Sequence, residues 1–205
     1  MERQSRPLIV AMKGHPGTGK STLARAVAAA LACPLLDKDD VRDCTLPLQR
    51  ALAGTSAAAA LLNDLCYSVI WRTAATQLRL GLSVVIDCPL SRRAHLDRLL
   101  ELARSSAPVA GVVIVECRPT DASEWRRRLE ERGAAAGSEG EGWHKPGTWE
   151  QLQGLLEGYR GCTDYDVGEV PRLVLDTTSA AAGVDDMVAR VLEFIRQNSD
   201  VRLQH

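Results

Sequence analysis

Residues 14–21 constrain this chain more than any other part of its sequence. They read Gly-His-Pro-Gly-Thr-Gly-Lys-Ser and match the pattern G-x-x-x-x-G-K-[ST] at every fixed position. The apolar residues 8–12 come directly before them and predict a buried strand, and the Ala- and Leu-rich residues 21–31 predict a helix. In a strand–loop–helix unit, the loop amides and the positive end of the helix dipole point at the same anion. The sequence therefore predicts a phosphate-binding loop.

The motif also assigns roles to individual residues of this loop. We expect Lys20 to reach the β- and γ-phosphates of a nucleoside triphosphate, and the Ser21 hydroxyl group to bind Mg²⁺. The alternative is a glycine-rich turn with a chance lysine, and the flanking strand and helix disfavour it. The expected nucleotide-binding residues are Gly14, His15, Pro16, Gly17, Thr18, Gly19, Lys20, Ser21 and Thr22.

Predicted strands alternate with predicted helices along the chain. Aromatic residues are only 4% of the sequence, so Ala, Leu and Val must fill the core, which favours helices packed on a parallel sheet. Asp121 with Glu124, and Thr148 with Gln151, have the spacing of helix capping boxes. The predicted strands are residues 7–12, 34–37, 82–87, 109–117 and 171–176, and the predicted helices are residues 19–31, 56–80, 91–105, 121–132, 148–158 and 184–197.

The composition is that of a globular protein, with 45% hydrophobic and 25% charged residues among 205. This length suits one domain of ordinary size. The formal net charge is −1, whereas proteins that bind long nucleic acids usually carry a basic surplus that neutralises phosphates. A long nucleic acid is therefore disfavoured as a partner, while a short end or a single nucleotide stays open.

The cysteine pattern and the hydropathy bear on the compartment. The six cysteines are scattered and include no Cys-x-x-Cys pair. No secretory signal precedes the first predicted strand, and no apolar run approaches the roughly 20 residues needed to cross a bilayer. We therefore expect a cytoplasmic protein with no membrane partner, whose cysteines are reduced and mostly buried.

A second group of charged residues follows the predicted strand 34–37. Residues 37–42 contain three carboxylates and two cations, and ligands bind at the carboxyl ends of strands in open parallel sheets. One carboxylate could accept the proton of an attacking hydroxyl group, and Arg42 could hold a polar or anionic part of the acceptor. The alternative is a solvated helix start whose acids are stabilised by the helix dipole.

The predicted strand 82–87 ends in an acidic residue, Asp87, directly after three apolar residues. An aspartate at this edge of the sheet would hold Mg²⁺, usually through water, or contact the acceptor. The alternative is a residue that only caps the helix that follows. We expect the functional role, because the phosphate-binding loop ends at the same edge.

A further candidate is the predicted helix 121–132, which places Arg128 and Arg132 one turn apart on the same face. The glycine-rich residues 133–142 follow directly, and we expect them to be mobile. A mobile lid that carries arginines would exclude water and stabilise charge on a transferring phosphoryl group. The alternative is a solvated helix with Arg–Glu ion pairs, each of little energetic value.

The glycine-rich segment interrupts a strand–helix unit, so we interpret it as part of the lid rather than as a domain linker. We expect one domain over residues 1–198, with the lid at about 126–148 and a frayed tail at 199–205. His144 and Lys145 lie at the far side of the lid, where they could contact the acceptor, act as a hinge, or only pack on the surface.

In this order, these segments resemble the small P-loop kinases of the nucleoside-monophosphate-kinase-like group, over roughly residues 7–180. Within that group, the sequence is most similar to the branch of 5′-hydroxyl polynucleotide kinases, chloramphenicol phosphotransferases and zeta-toxin-like kinases. Residues 38–42 match the basic-Asp-Asp-x-Arg segment of this branch. This match implies that Asp39 is the general base and that Arg42 is an acceptor ligand.

The lid segment R-x-x-x-R-G of the same branch matches residues 128–133. The resemblance thus implies that Arg132 is the lid arginine and that Arg128 supports it. It also implies a three-layer α/β P-loop fold, with a five-stranded parallel sheet in the order 2-3-1-4-5.

We therefore expect an ATP-dependent, Mg²⁺-requiring kinase that transfers the γ-phosphate to a hydroxyl group of a small molecule or nucleotide. The two alternatives are a 5′-hydroxyl polynucleotide kinase and a non-catalytic ATP-binding switch protein. The expected catalytic residues are Lys20, Asp39, Arg128 and Arg132, the expected substrate-binding residues are Arg42 and Asp87, and the expected metal ligands are Ser21 and Asp87.

Overall fold

The computed structural model describes residues 6–53, 55, 57–135, 142–179 and 183–198. Their strands form one parallel sheet in the order β2-β3-β1-β4-β5, which confirms the predicted fold and strand order. The strands lie close to their predicted bounds and are β1 (Leu8–Lys13), β2 (Leu35–Asp37), β3 (Val84–Asp87), β4 (Gly111–Arg118) and β5 (Arg172–Asp176).

The six predicted helices are present, and two short helices were not predicted. The unpredicted helices, α2 and α3, are six residues long, which is too short to show a helical repeat of apolar residues. In the described ranges, the helices are α1 (Lys20–Ala30), α2 (Lys38–Asp43), α3 (Leu46–Ala51), α4 (Ala58–Arg79), α5 (Arg93–Ser105), α6 (Ala122–Ala135), α7 (Trp149–Tyr159) and α8 (Val184–Asn198).

The central strand, β1, is buried along its whole length and pairs with β3 and β4. Its successive side chains point to opposite faces of the sheet. Ile9 and Ala11 join the core beneath α4 and α5, whereas Val10 and Met12 join the core beneath α1 and α8. Because helices cover both faces, the strand needs apolar side chains on both, which explains its continuous apolar run.

Each predicted capping box forms one of its two hydrogen bonds, the one in which the first side chain accepts from a backbone amide. The Thr148 Oγ1 atom accepts a hydrogen bond from the Gln151 amide at 3.2 Å, and Asp121 Oδ1 accepts one from the Glu124 amide at 3.1 Å. In a complete box, the side chains of Gln151 and Glu124 would accept hydrogen bonds from the amides of Thr148 and Asp121, but both side chains have other partners. Gln151 Oε1 accepts from the Gly147 amide at 2.8 Å, and the Glu124 carboxylate accepts from two arginines of α6.

Other expectations concern the cysteines, the membrane and the tail. The cysteines are free thiols, as predicted. Cys66, Cys88 and Cys117 are buried, Cys33 is half-buried, and Cys44 and Cys162 are exposed, so the expectation of mostly buried cysteines holds for half of them. None of the described helices has the length and apolar character of a membrane span. The expected tail, 199–205, and residues 136–141 of the glycine-rich segment lie outside the described residues.

Candidate active site

The carboxyl ends of three neighbouring strands bring the predicted site residues to one edge of the sheet. The phosphate-binding loop follows β1, Asp39 comes two residues after β2, and Asp87 is the last residue of β3. In the ladder between β2 and β3, Asp37 lies opposite Asp87. Segments far apart in the sequence thus meet where open parallel sheets bind ligands.

The phosphate-binding loop leads directly into α1. Gly19 is the N-cap of this helix, so Lys20 is its first residue. Gly17 and Gly19 have φ values of 79° and 80°, in the left-handed region that favours glycine. A loop of this shape at a helix N-terminus directs backbone amides toward one anion.

Helix α6 packs directly on the phosphate-binding loop. Trp125 Nε1 donates a hydrogen bond to the Pro16 carbonyl oxygen at 2.8 Å. A Cβ atom added at Gly17 would lie 3.0 Å from Leu129 Cδ1, so this helix also closes the space above that glycine. The His15 ring stacks on Trp125, with 6.2 Å between ring centroids. The sequence carries no local signal for these contacts, because they join residues more than 100 positions apart.

Lys20 and Asp87 form a buried ion pair. Burial opposes the charge of the ammonium group, but the Asp87 carboxylate outweighs burial and raises the pKa of Lys20. Asp87 itself has no exposed surface. The pair therefore keeps Lys20 protonated beside the phosphate-binding loop.

Ser21 and Asp87 carry oxygen atoms of the kind that Mg²⁺ prefers, and nucleotide-bound Mg²⁺ often uses only one or two protein ligands. Within the described part of the chain, Asp87 Oδ2 is buried and lacks a hydrogen-bond partner, which leaves it available to a cation or to water. The same residues contain no group of three or more His, Cys, Asp or Glu side chains that could hold a metal ion. The two residues thus fit a nucleotide-bound Mg²⁺ and remain predicted ligands.

Asp39 lies in the first turn of α2 among positively charged side chains. Its Oδ1 atom accepts a hydrogen bond from His144 Nε2 at 3.1 Å and lies 3.3 Å from Lys38 Nζ. Its Oδ2 atom lies 3.0 Å from Lys145 Nζ. Burial alone would raise the pKa of Asp39, but the His144 hydrogen bond and the two lysine charges outweigh it and hold this pKa far below its usual range. Asp39 is therefore ionised throughout the physiological pH range.

Asp37 has the opposite electrostatic environment. Its side chain caps α2 by accepting a hydrogen bond from the Asp39 amide at 2.8 Å. Burial, and then the nearby charge of Asp87, raise the pKa of Asp37 to about 6. Asp37 thus fixes the start of α2, and with it the position of Asp39, and its surroundings make its negative charge more costly than that of an ordinary aspartate.

The two lid arginines are held by backbone carbonyl groups. Arg128 Nη1 donates a hydrogen bond to the Thr177 carbonyl oxygen at 2.6 Å, and its Nε atom donates to Glu124. Arg132 Nη2 donates to the Pro146 carbonyl oxygen at 2.7 Å. Both arginines line the cavity described below, while Arg128 also forms an Arg–Glu pair of the kind that the surface-helix alternative predicts.

The outgoing and returning chains of the lid meet at Gly133 and Gly147, and we call this contact the lid neck. A Cβ atom at Gly133 would overlap the backbone of Gly147, including its carbonyl oxygen. Only glycine fits at so close an approach of two backbones. The sequence shows both glycines, but no pattern in it pairs them.

A cavity of about 900 Å³ lies between the phosphate-binding loop, α2 and the lid. Asp40, Asp43, Trp143 and Lys145 contribute to its wall beside the predicted site residues. The predicted site residues in this wall are Gly14, His15, Pro16, Gly17, Gly19, Lys20, Ser21, Thr22, Asp39, Arg128 and Arg132.

Three predicted site residues are buried and lie outside the wall of this cavity, namely Thr18, Arg42 and Asp87. The Arg42 guanidinium group donates to Gln49 Oε1 at 3.2 Å and lies 5.1 Å from the centroid of the Trp143 ring. The structure thus does not bring Arg42 to the acceptor side of the cavity, and its role as an acceptor ligand stays a prediction.

Residues 9–142 match the AAA_33 family, described as an AAA domain. The chain belongs to this family. The match runs from β1 to the lid and so includes Lys20, Asp39, Asp87 and both lid arginines. No curated protein sequence matches the chain significantly.

Several solved structures share the fold. One is a Chloroflexus aurantiacus protein with a provisional kinase assignment, which is 21% identical over 94% of this chain and 98% of its own, with a TM-score of 0.65. A gluconokinase from Sinorhizobium meliloti is 19% identical over 97% and 96%, with a TM-score of 0.58. The APS kinase CysC of Mycobacterium tuberculosis, in complex with AMPPNP and APS, is 19% identical over 93% and 98%, with a TM-score of 0.56.

Proposed function

We propose that this AAA-domain protein is a kinase that transfers the γ-phosphate of ATP to a hydroxyl group of a small molecule or nucleotide. The observation that carries the proposal is that Lys20 and Asp39 line one cavity together with the lid arginines. Phosphoryl transfer needs cations around the transferring group, a carboxylate at the acceptor hydroxyl group, and a site closed to water. The shared fold of a gluconokinase and an APS kinase supports this proposal.

On the nucleotide side, the amides of the phosphate-binding loop and Lys20 hold the β- and γ-phosphates. Lys20 exchanges its partner Asp87 for phosphate oxygens, which leaves the Asp87 carboxylate as a second ligand beside Ser21. Mg²⁺, when bound, neutralises charge on the phosphates. Arg132 and Arg128 stabilise the transferring phosphoryl group, a kind of contact that can be worth about 10³-fold in rate.

On the acceptor side, Asp39 accepts the hydrogen bond of the attacking hydroxyl group and so points its oxygen at the γ-phosphate. Its low pKa makes it a weak base. A weak base suffices here, because the loose transition state of phosphoryl transfer depends on positioning more than on early proton removal. We propose residues 126–148 as the lid that excludes water, within one domain over residues 1–198.

The proposal is tested by a metabolite-extract screen for an ATP-dependent mass gain of one phosphate group. We expect wild-type protein to give such a product and Asp39→Ala to give none while it still binds ATP. A wild-type protein that binds ATP without any phosphorylated product would favour the switch alternative. Undiminished transfer by Asp39→Ala would remove the assignment of the base.

Lys20→Ala should also abolish transfer, but its effect on activity is harder to interpret because the substitution also lowers stability. Removing the lysine leaves Asp87 buried without its partner, which costs about 3–5 kcal/mol of folding free energy. Its thermal stability must therefore be measured beside its activity.

A 5′-hydroxyl polynucleotide kinase remains the second candidate, because residues 38–42 match the acidic segment of that branch. The net charge of −1 and the carboxylates in the cavity wall, Asp39, Asp40 and Asp43, disfavour a polyanionic acceptor. Incubation of 5′-hydroxyl oligonucleotides with γ-labelled ATP, followed by filter binding, separates the two candidates directly.

A further inference from the structure

The turn formed by residues 142–145 lies on one face of α2, and we call it the lid turn. The Lys145 amide donates to the Gly142 carbonyl oxygen at 2.8 Å and closes the turn. The Gly142 amide donates to both oxygens of the Asp43 carboxylate, at 2.9 and 3.0 Å. His144 Nδ1 lies 3.3 Å from Asp43 Oδ1, but the two atoms are not aligned as a hydrogen bond. Asp43 thus contacts both ends of the segment Gly142 to His144.

Asp39 and Asp43 are four residues apart in α2 and so lie on the same face of this helix. The lid turn spans both carboxylates. The Gly142 amide donates to Asp43, whereas the His144 ring and the Lys145 ammonium group contact Asp39. The contacts with Asp39 act on the proposed base, whereas the contacts with Asp43 attach the turn to the helix.

We propose that Asp43 is a positioning residue, whose carboxylate holds the lid turn on α2 and thereby keeps His144 and Lys145 in contact with the base, Asp39. The inference rests on the proposed function, because it takes Asp39 as the group that receives the acceptor hydroxyl group. It assigns Asp43 no contact with the reacting atoms. Loss of Asp43 releases the turn, and with it the contacts of His144 and Lys145 with Asp39.

The charges around Asp39 come from every element that packs near it. The lid turn contributes His144 and Lys145, and α2 contributes Lys38. Asp37 of β2, Lys20 of α1, Cys66 and Tyr67 of α4, Arg132 of α6 and Tyr159 of α7 also lie within electrostatic range. Release of the lid turn removes His144 and Lys145 and leaves the others. The Asp39 carboxylate then loses the two contacts that fix it from the side of the lid turn, so it positions the acceptor hydroxyl group less well.

The test compares Asp43→Ala and Asp43→Asn with the wild-type protein by two measurements. The first is amide hydrogen exchange of residues 142–147, and the second compares kcat with the KM for ATP in the transfer reaction. Asp43→Asn keeps an oxygen that can accept a hydrogen bond from the Gly142 amide but loses the charge. It therefore still tests the proposal if Asp43→Ala does not fold. Asp40→Asn is the matched control for exchange, because Asp40 is an exposed carboxylate of the same helix.

We expect exchange of the lid turn to rise by about tenfold or more in Asp43→Ala and by less in Asp43→Asn. The control should exchange like the wild type. We also expect kcat to fall by about tenfold in Asp43→Ala, while the KM for ATP stays as in the wild type, because only the positioning of Asp39 is affected. Unchanged exchange in Asp43→Ala would overturn the inference. So would faster exchange with an unchanged kcat, since the turn would then not act on Asp39.

The two measurements also separate this inference from the proposed function. If the wild-type protein phosphorylates no acceptor, the proposed function fails, and the role of Asp43 in holding the lid turn is then judged by exchange alone. If transfer occurs and exchange is unchanged, only the role of Asp43 fails.

Discussion

Three aspartates, Asp37, Asp39 and Asp87, meet where β2 and β3 end, and their surroundings give them different properties. Asp39 has His144 and two lysines around it and stays ionised. Burial and the charge of Asp87 push the pKa of Asp37 in the opposite direction. Such a division of neighbouring carboxylates by environment is how one site assigns separate roles to chemically equal groups.

Asp37→Asn should stabilise the protein above pH 6. The folded-state pKa of Asp37 is about 6, above its ordinary value of 3.8, so the folded state binds the proton more tightly than the unfolded state does. The ionised aspartate therefore costs stability that is absent near pH 4 and fully present above pH 6. Asparagine keeps the cap of α2. We expect a gain of about 1–3 kcal/mol at pH 7.5 and almost none at pH 4.

Urea unfolding of both proteins at the two pH values, in a chelating buffer without divalent cations, measures this difference. An equal stability of variant and wild type at pH 7.5 would contradict the environment described for Asp37.

At the element scale, the lid neck is the contact that joins the two chains of the proposed lid. Gly133 and Gly147 bring the two chains of the lid together, and beside them Arg132 donates to Pro146. Arg132 on α6 and Lys145 in the lid turn lie on the two chains that meet at this neck, and both line the same cavity. The neck therefore presents both cations to the site together.

Gly133→Ala should impair transfer without unfolding the domain. The new Cβ atom would overlap the backbone of Gly147, so the neck must open and displace Arg132. We expect kcat to fall by about tenfold or more, because Arg-type contacts on the phosphoryl group carry much of the rate. The unfolding temperature should change little, since the lid neck lies outside the two cores of the sheet.

Gly154→Ala is the matched control for this experiment. Gly154 lies inside α7, and a Cβ atom there meets nothing within 4 Å. Alanine should raise stability by about 0.5–1 kcal/mol and leave turnover unchanged. If Gly133→Ala turned over at the wild-type rate, the neck would have no part in closing the site.

Local patterns in the sequence predicted some elements and not others. The phosphate-binding loop, β3 and the Arg128–Arg132 face of α6 were predictable because each is encoded by neighbouring residues. Helix α2 was not predicted, because it depends on one cap from Asp37 and has only six residues. The lid neck was not predicted either, since it joins two glycines whose pairing exists only in three dimensions.

At the scale of the whole molecule, the strand order places the site. The order β2-β3-β1-β4-β5 puts the loop after β1 beside the acidic ends of β3 and β2. The family resemblance predicted this order correctly, whereas hydrophobic patterns alone predicted only a parallel sheet. The ion-pair partner of Lys20 could not be predicted from the sequence, because no residue near the loop indicates that Asp87 is its buried counter-ion.

Binding of ATP should stabilise the whole fold. A ligand at 100 times its Kd adds about 2.7 kcal/mol to the free energy of unfolding. For a chain of this length, that corresponds to a rise of roughly 5–10 °C in Tm. A thermal-shift titration with Mg²⁺ and ATP measures the rise, which Asp39→Asn should retain and Lys20→Ala should lose. An equal shift in Lys20→Ala would show that ATP binds elsewhere.

The central claim is that a triphosphate in the phosphate-binding loop presents its last phosphorus to Asp39, and a crystal structure with Mg²⁺ and AMPPNP tests it most directly. We predict that the γ-phosphate contacts Lys20, which has left Asp87, and that it faces Asp39 with room for an acceptor hydroxyl group between them. An empty loop, or a γ-phosphate pointing away from Asp39, would contradict the account.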